Sequence, residues 1–125
     1  SNEQINYINK SSKFIKNKFP DAKFFLWSND LSSLKKENIE FDINIIDLSK
    51  YKNHFDIRAF NLFLLSSCKH FIVTPSTFNW WGAWLSKNDK KIVTRPAEKF
   101  FSLFKVNNKD FWPNNWIEID EKFKK

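Results

Sequence analysis

Glycine, cysteine and arginine are scarce in this sequence, and each scarcity excludes a class of site. Gly82 is the only glycine among 125 residues, so a glycine-rich phosphate loop is absent. Cys68 is the only cysteine, which excludes an intrachain disulfide and a multi-cysteine metal site. His54 and His70 have no partners at metal-ligand spacing, so we expect no metal and no other cofactor.

Long apolar runs are also missing. No run approaches the roughly 18–20 residues that a helix needs to cross a bilayer, and the start of the chain has no apolar stretch of signal-peptide type. We therefore expect a cytoplasmic protein, with peripheral association at the inner face of the membrane as an alternative. The hydrophobic fraction of 42%, with 15 Phe and 6 Trp, is enough for one packed domain or one lobe of a larger enzyme.

The charge is positive but carries little arginine. Lys and Arg number 21 against 14 Asp and Glu, a net charge of +7, and the only arginines are Arg58 and Arg95. Nucleic-acid binders usually use arginine for bidentate contacts with bases and phosphates, so we do not expect a nucleic-acid partner. A small ligand that bears phosphate, or an anionic membrane surface, suits this charge equally well.

Hydrophobic periodicity predicts alternating helices and strands. The predicted helices are residues 3–18, 31–37, 59–67 and 78–85, and the predicted strands are residues 23–27, 41–46, 70–73, 91–94 and 116–119. This order indicates an α/β fold, a Rossmann-like and mostly parallel sheet flanked by helices. Because the pattern begins on a helix, we expect that a first strand is missing. The helix at 59–67 is apolar almost throughout, which predicts that it is buried.

The segment Thr74-Pro75-Ser76-Thr77 is the most informative loop. It follows a predicted strand and precedes a predicted helix, and ligands of open α/β sheets lie at the carboxyl ends of strands. Ser76 or Thr77 can cap the helix, and the free N–H groups of its first turn, with the positive end of its dipole, attract phosphate. A nucleotide diphosphate is the natural ligand. The alternative is an ordinary helix cap with no phosphate.

The following helix contains Gly82 and three tryptophans. Glycine inside a helix costs about 1 kcal/mol relative to alanine, so we expect a neighbouring element to approach the backbone closely at Gly82. Trp80 and Trp84 are four residues apart and share a face, with Trp81 on the adjacent one. We interpret these tryptophans as packing residues, with sugar stacking as the alternative.

At this point the sequence resembles a known family. Residues 76–85, STFNWWGAWL, are similar to the STFSWWGAW motif of the family 11 glycosyltransferases, the bacterial α-1,2-fucosyltransferases. Further similar segments are residues 23–30, 65–73, 91–96 with Phe100-Phe101, and 113–119. The resemblance therefore covers nearly the whole chain.

The resemblance implies the donor-binding lobe of an inverting, metal-independent enzyme of the two-lobed GT-B type. Such an enzyme transfers fucose from GDP-fucose to a glycan hydroxyl of a surface polysaccharide, as in lipopolysaccharide biosynthesis. On this interpretation Ser76, Thr77 and the Phe78 amide hold the β-phosphate. Asp30 occupies the family's turn aspartate position, with capping of the next helix as the alternative role. Asn61 occupies the position expected to read guanine.

The sequence also departs from the family pattern. The family's arginine-bearing HxRRGD-type motif is absent and is expected upstream of residue 1, so the catalytic residues are unknown and residues 1–125 alone are expected to be inactive. Asn61 and Asn29 each replace an aspartate, while Pro75 and Asn79 replace an asparagine and a serine. The amide of Asn61 offers one acceptor and one donor, so guanine would lose a contact and a donor with another base is the alternative. The alternative function is a truncated or degenerate lobe that binds nucleotide, or a partner lobe, without catalysis.

Four remaining predictions concern ordinary structural roles. His54 is expected on a surface loop and His70 at the start of a strand. Cys68 is expected to be a buried packing residue. Residues 120–125 are expected to form a solvated tail of this single lobe.

Overall fold

A computed structural model describes residues 2–33, 36–74, 76–97 and 111–120 of the chain. Its helices are α1 (Asn2–Lys18), α2 (Phe55–Ser66) and α3 (Thr77–Leu85). Its strands are β1 (Phe24–Ser28), β2 (Ile43–Asp47), β3 (Phe71–Ile72), β4 (Val93–Pro96) and β5 (Ile117–Ile119). Short 3₁₀ turns occupy Leu31–Ser33, Lys36–Asn38 and Ser49–Tyr51. Helices and strands alternate along the chain, which confirms the predicted α/β class.

The strands form two small parallel sheets. One contains β1 and β2, with Phe24 opposite Ile43 and Ser28 opposite Asp47. The other has the order β3-β4-β5, and both of its pairings are parallel. The prediction of parallel strands flanked by helices is confirmed. The expectation of one continuous sheet is not met among the described residues, because β1 and β3 are not hydrogen-bonded to each other.

Helix α1 packs on the second sheet and runs antiparallel to its strands. The hydroxyl of Tyr7 donates to the backbone oxygen of Val73 at 2.6 Å, beyond the carboxyl end of β3. Twelve residues later, the ring of Phe19 stacks on His70 with 4.4 Å between centroids, at the amino end of the same strand. The face that α1 buries carries Ile5, Ile8, Phe14 and Ile15, which recur at helical spacing.

The main core lies between the sheets and helices α2 and α3. Its buried members come from every region of the described chain after α1: Trp27, Leu48, Leu65, Phe71, Val73, Ala83, Val93, Trp112 and Trp116. Three of these nine residues are tryptophans, whose large rings contribute much of the buried apolar surface of this core. The core fixes α3 against α2 and positions the turn that precedes α3.

The prediction that the helix at 59–67 is buried is wrong. Helix α2 begins at Phe55, four residues earlier than predicted, and only Leu65 is buried in it. Phe55, Phe60 and Phe63 are 81%, 60% and 63% exposed. Among the described residues, α2 packs mainly against α3, so its apolar side chains on the other faces stay exposed. Apolar composition therefore does not show how many neighbours a helix has.

Some predicted features differ locally or lie outside the described residues. The helix predicted at residues 31–37 is instead two 3₁₀ turns, Leu31–Ser33 and Lys36–Asn38. Asp30 bonds the backbone N–H of Ser32, and such short-range bonds compete with α-helix formation. Pro75, the pair Phe100-Phe101 and the tail from residue 121 onward are outside the described residues.

Candidate functional site

The turn between β3 and α3 has the geometry of a helix N-cap. Ser76 is the N-cap residue, with extended backbone angles of φ −150° and ψ 127°. Its side-chain oxygen accepts from the backbone N–H of Asn79 at 3.4 Å, and its carbonyl accepts from Trp80 at 3.1 Å. The backbone N–H of Ser76 in turn donates to the carbonyl of Thr74 at 2.6 Å. The chain is thus turned sharply at the carboxyl end of β3.

The first two N–H groups of α3 are available to a ligand. Thr77 and Phe78 precede the first intrahelical donor, Trp80, so their backbone N–H groups have no acceptor within the helix. Thr77 is exposed, whereas the ring of Phe78 packs against the core and holds its own backbone in place. The nine-residue helix adds a partial positive charge of about +0.5 at this end. The arrangement can bind an oxyanion such as a phosphate oxygen.

Asn79 fixes this turn from inside. Its side-chain amide donates to the hydroxyl of Thr74 at 2.5 Å, and both residues are buried. The bond ties the last residue of the strand exit to the first turn of the helix. In the sequence, Asn79 was notable only as a departure from the family pattern. No local pattern indicated its hydrogen bond to Thr74, because that bond depends on how the turn folds.

Gly82 is where α2 and α3 touch. A Cβ atom built on Gly82 would lie 2.5 Å from Cδ2 and 2.6 Å from Cγ of Leu65. The predicted close approach is therefore confirmed, and the approaching element is α2. This contact sets the distance between the two helices and so supports the turn at the start of α3.

The tryptophans of α3 divide into packed and exposed residues. Trp80 stacks on Trp84 at 5.5 Å, which confirms that the two share a face. The indole N–H of Trp80 also donates to the carbonyl of Phe111 at 3.0 Å, so Trp80 has the predicted packing role. Trp81 and Trp84 are 49% and 52% exposed, so about half of the surface of each is not used in packing by the described residues.

Polar residues also gather at the carboxyl end of β1. Oδ1 of Asp30 accepts from the backbone N–H of Ser32 at 3.1 Å and from its hydroxyl, which is the geometry of a cap on the first 3₁₀ turn. Nη1 of Arg58, on α2, donates to Oδ1 of Asn29 at 3.2 Å. Sequence reasoning did not place Arg58 in a site. Its contact spans 29 residues, and only the scarcity of arginine could have drawn attention to it.

Asn61 is held by two hydrogen bonds within the chain. Its side-chain oxygen accepts from the indole N–H of Trp27 at 3.1 Å, and its amide nitrogen donates to the carbonyl of Ile57 at 2.9 Å. Because an indole N–H can only donate, the orientation of the amide is fixed by Trp27. The side chain therefore anchors α2 to β1, and its role in reading a base stays a prediction.

The histidines and the cysteine have structural surroundings. Nδ1 of His70 accepts from the backbone N–H of Ile92 at 3.0 Å, and burial, with Lys69 as a smaller cause, lowers the pKa of His70. Cys68 is partly buried and packs on the core, and burial raises the pKa of its thiol. His54 is exposed just before α2. Among the residues with assigned positions, no group of three His, Cys, Asp or Glu could hold a metal ion.

The structure therefore distributes the predicted site residues over two strand ends. Ser76, Thr77 and Phe78 lie on one turn after β3, whereas Asp30 and Asn61 lie beside β1. No helix within the described ranges is long and apolar enough to cross a membrane.

Comparison with known proteins gives consistent matches. The sequence pattern of glycosyl transferase family 11 matches residues 3–120. An alpha-1,2-colitosyltransferase from Escherichia coli is 29% identical over 115 residues, which is 92% of this chain and 39% of that enzyme. The O-antigen biosynthesis glycosyltransferase WbnK, also from Escherichia coli, is 40% identical over 62 residues, 49% of this chain and 19% of that protein. No solved structure matches the chain significantly.

Proposed function

This chain belongs to glycosyl transferase family 11, and on that premise we propose that it binds the nucleotide sugar donor of a glycosyltransferase. The proposed donor is GDP-fucose or a GDP-linked relative of fucose. The sugar would pass, with inversion, to a hydroxyl of a surface polysaccharide. The names of the two relatives, a colitosyltransferase and an O-antigen glycosyltransferase, support this chemical class. The chain spans 39% of the colitosyltransferase, so the acceptor and the catalytic base are assigned to the rest of such an enzyme.

The observation that carries the proposal is the turn between β3 and α3. It presents the N–H groups of Thr77 and Phe78 and the hydroxyl of Ser76 at the carboxyl end of a parallel strand. Ligands of α/β folds lie at this end of the sheet. The group that best fits donors on a helix N-terminus is a phosphate, and a nucleotide sugar carries two.

The same donors would assist the reaction. When the bond between the sugar and the β-phosphate breaks, negative charge grows on the phosphate oxygens. Fixed N–H donors at the positive end of α3 stabilise this charge more in the transition state than in the bound donor, which lowers the barrier. The hydroxyl of Ser76 can donate at the same time, because its oxygen is the acceptor in the cap. Asp30 and Asn61 are proposed to face the nucleoside end of the donor.

The location of the reaction is also a proposal. We place it in the cytoplasm at the inner face of the membrane, because a chain with a net charge of +7 is attracted to an anionic lipid surface. The missing lobe of the enzyme is the expected protein partner.

A second candidate function is binding without catalysis. Helices α2 and α3 leave Phe60, Phe63 and Trp84 at least half exposed, a surface suited to packing against another lobe. A lobe that binds nucleotide, or only its partner, would show this surface as well. The two candidates differ in whether the polypeptide that carries this lobe transfers sugar.

The first experiment measures thermal stabilisation of the 125-residue chain by GDP, UDP, CMP and pyrophosphate at equal millimolar concentrations without metal. A ligand present at 100 times its Kd stabilises the folded state by about 2.7 kcal/mol. We expect a rise in Tm with GDP, a smaller one with pyrophosphate, and none with CMP. Equal shifts with UDP and GDP would contradict guanine recognition, and no shift with any ligand would contradict donor binding by this chain.

Two substitutions at Ser76 separate the ligand from the fold. Asp and Asn cap helices about as well as Ser, so Ser76→Asp and Ser76→Asn should both keep the stability of α3. Only Asp adds a negative charge beside the phosphate. At about 4 Å this repulsion costs about 1 kcal/mol in water and about 4 kcal/mol at an effective dielectric constant of 20. GDP affinity should therefore fall about fivefold or more in Ser76→Asp and change little in Ser76→Asn. Equal affinity in both variants would place the phosphate elsewhere.

A further inference from the structure

A cleft of about 670 Å³ separates the two sheets. Strand β1 forms one wall and β3 the other. Helix α1 contributes Ile8 and Ile15 on one face, while Leu65 and Cys68, at the end of α2, lie on the other. The cleft is therefore enclosed by two strand edges and by helices above and below them, which is the environment of a central strand in an α/β sheet.

Among the residues that the structure describes, no strand pairs with the edge of β1 that faces the cleft. The carbonyl of Ser28 accepts from the backbone N–H of Leu48, so it points toward β2. Backbone groups of successive strand residues point to opposite edges. Phe25 and Trp27 consequently direct their N–H and C=O groups away from β2, and both residues line the cleft.

Within the described ranges, the edge of β3 that faces the cleft has no paired strand either. The N–H groups of Phe71 and Val73 donate to the carbonyls of Ile92 and Thr94, both at 2.9 Å, so they point toward β4. Ile72 lies between them and directs its backbone groups to the opposite edge, where it lines the cleft. Two open strand edges thus border one apolar space, and exposed edges of this kind recruit another strand.

From this geometry we propose that the cleft is a docking site for one apolar β-strand that runs parallel to both β1 and β3. The strand would join the two sheets into one, in the order β2-β1-strand-β3-β4-β5. Numbered along the chain with the new strand first, this is 3-2-1-4-5-6, the order of doubly wound nucleotide-binding sheets. The proposal does not depend on the donor that the chain binds.

The direction of α1 identifies the source of the strand. Tyr7, near the start of α1, lies at the carboxyl end of β3, and Phe19, just after α1, lies at its amino end. A strand parallel to β3 would leave the cleft at the carboxyl end, where α1 begins. The occupant is therefore the polypeptide segment that directly precedes α1, and the unit strand–α1–β1 is a standard crossover connection between parallel strands. The relatives are long enough to supply it, since the chain spans 39% of one of them.

The cleft also sets the composition and length of the strand. Spacings of about 4.8 Å between strands, about 10 Å between layers and about 3.3 Å along a strand give roughly 160 Å³ for each residue. The 670 Å³ cleft therefore holds a strand of about four residues. Helices cover both faces, so the strand should be continuously apolar and rich in Val and Ile rather than alternating.

The test uses backbone amide exchange on the chain as it stands and on an extended chain. A five-residue strand of alternating Val and Ile, followed by a three-residue polar turn, is fused ahead of residue 1, and the control extension has Pro at the central strand position. The Val/Ile extension should slow exchange at Phe25, Trp27 and Ile72 by about tenfold or more. Leu26 and Phe71, which already face their paired strands, should change much less. The Pro control should have little effect, because it lacks one donor and disfavours a central strand.

Three results would overturn the proposal. One is equal protection by the two extensions, which would mean that the cleft accepts any apolar chain. Another is slow exchange at Phe25, Trp27 and Ile72 in the unextended chain, which would mean that the edges are already paired. The third concerns an extended chain that does not fold. In that case the Val/Ile strand is added to the unextended chain as a separate peptide. If amide exchange at Phe25, Trp27 and Ile72 is then not slowed, docking is contradicted.

Discussion

Replacement of Gly82 by alanine tests the close approach of α2 to α3. The added methyl carbon would lie 2.5 Å from Cδ2 of Leu65 and 2.6 Å from its Cγ. Carbon atoms in good contact are about 3.5–4.0 Å apart, so the added carbon would be about 1 Å too close. Leu65 is 7% exposed and packs in the main core, so it can relieve the overlap only by moving toward the cleft that it lines, which gives up core contacts.

Two effects of opposite sign decide the size of the change. Alanine is favoured over glycine in a helix by about 1 kcal/mol. Overpacking a well-filled core costs about 1–3 kcal/mol. The overlap involves the branched end of a buried leucine, so we expect the packing cost to exceed the helix gain. Gly82→Ala should then lower the free energy of unfolding by about 1 kcal/mol and lower Tm by about 3 °C.

Urea denaturation of four proteins provides the measurement: the unchanged chain, Gly82→Ala, Leu65→Ala and the double variant. Leu65→Ala should cost about 2–5 kcal/mol, because it leaves a cavity. In that background the overlapping Cγ and Cδ2 atoms are gone, so Gly82→Ala should become stabilising by about 1 kcal/mol. The reasoning is refuted if Gly82→Ala stabilises both backgrounds equally, since α2 would then not approach α3 at this glycine.

Further predictions concern a histidine, an asparagine and a lysine. His70 accepts a backbone hydrogen bond and its pKa is lowered by burial, so the unfolded state takes up the proton first as pH falls, and stability should decline below about pH 6.5. Urea unfolding at pH 7.5 and 5.5 should show a smaller decline for His70→Asn, and an equal decline in both proteins would contradict this role. Asn61→Ala removes the hydrogen-bond acceptor of the Trp27 indole and should lower the free energy of unfolding by about 1–2 kcal/mol. Asn61→Asp keeps this acceptor and should raise the affinity for GDP in the thermal assay. The ammonium group of Lys91 donates hydrogen bonds of 2.7 and 2.9 Å to two carbonyls at the end of α3, and Lys91→Met removes both. This substitution should lower the free energy of unfolding by about 1 kcal/mol, whereas the exposed control Lys90→Met should lower it by less than about 0.5 kcal/mol in the same urea assay.

The parts of the fold that were predictable are those set by neighbouring residues. The apolar run at β1 and the helical spacing in α1 gave the right element at nearly the right bounds. Gly82 was informative for a different reason. A glycine in the middle of a helix carries a cost, and a cost in a stable fold indicates a compensating contact, which the structure supplies in Leu65.

The parts that were not predictable depend on contacts between distant residues. The bond from Trp27 to Asn61 spans 34 residues, and the bond from Arg58 to Asn29 spans 29. A local pattern contains no information on which helix face meets which strand. The exposure of α2 has the same origin, because an apolar helix looks alike in sequence whether it has one neighbour or three. The gap between the two sheets likewise depends on which strands pair with each other, and the sequence of a single strand does not show this.

The cleft and the turn before α3 share two residues, and this links the two proposals. Thr74 and Asn79 line the cleft and also form the 2.5 Å bond that fixes the turn before α3. A strand that fills the cleft would pack against this pair and restrict the turn to one arrangement. Donor binding would then cost less ordering, so GDP should bind more tightly to the chain with the Val/Ile extension than to the Pro control. Coupling between two binding events is reciprocal. GDP should therefore also slow amide exchange at Ile72 in the extended chain, and a GDP affinity that is the same with either extension would show that the cleft and the turn act independently.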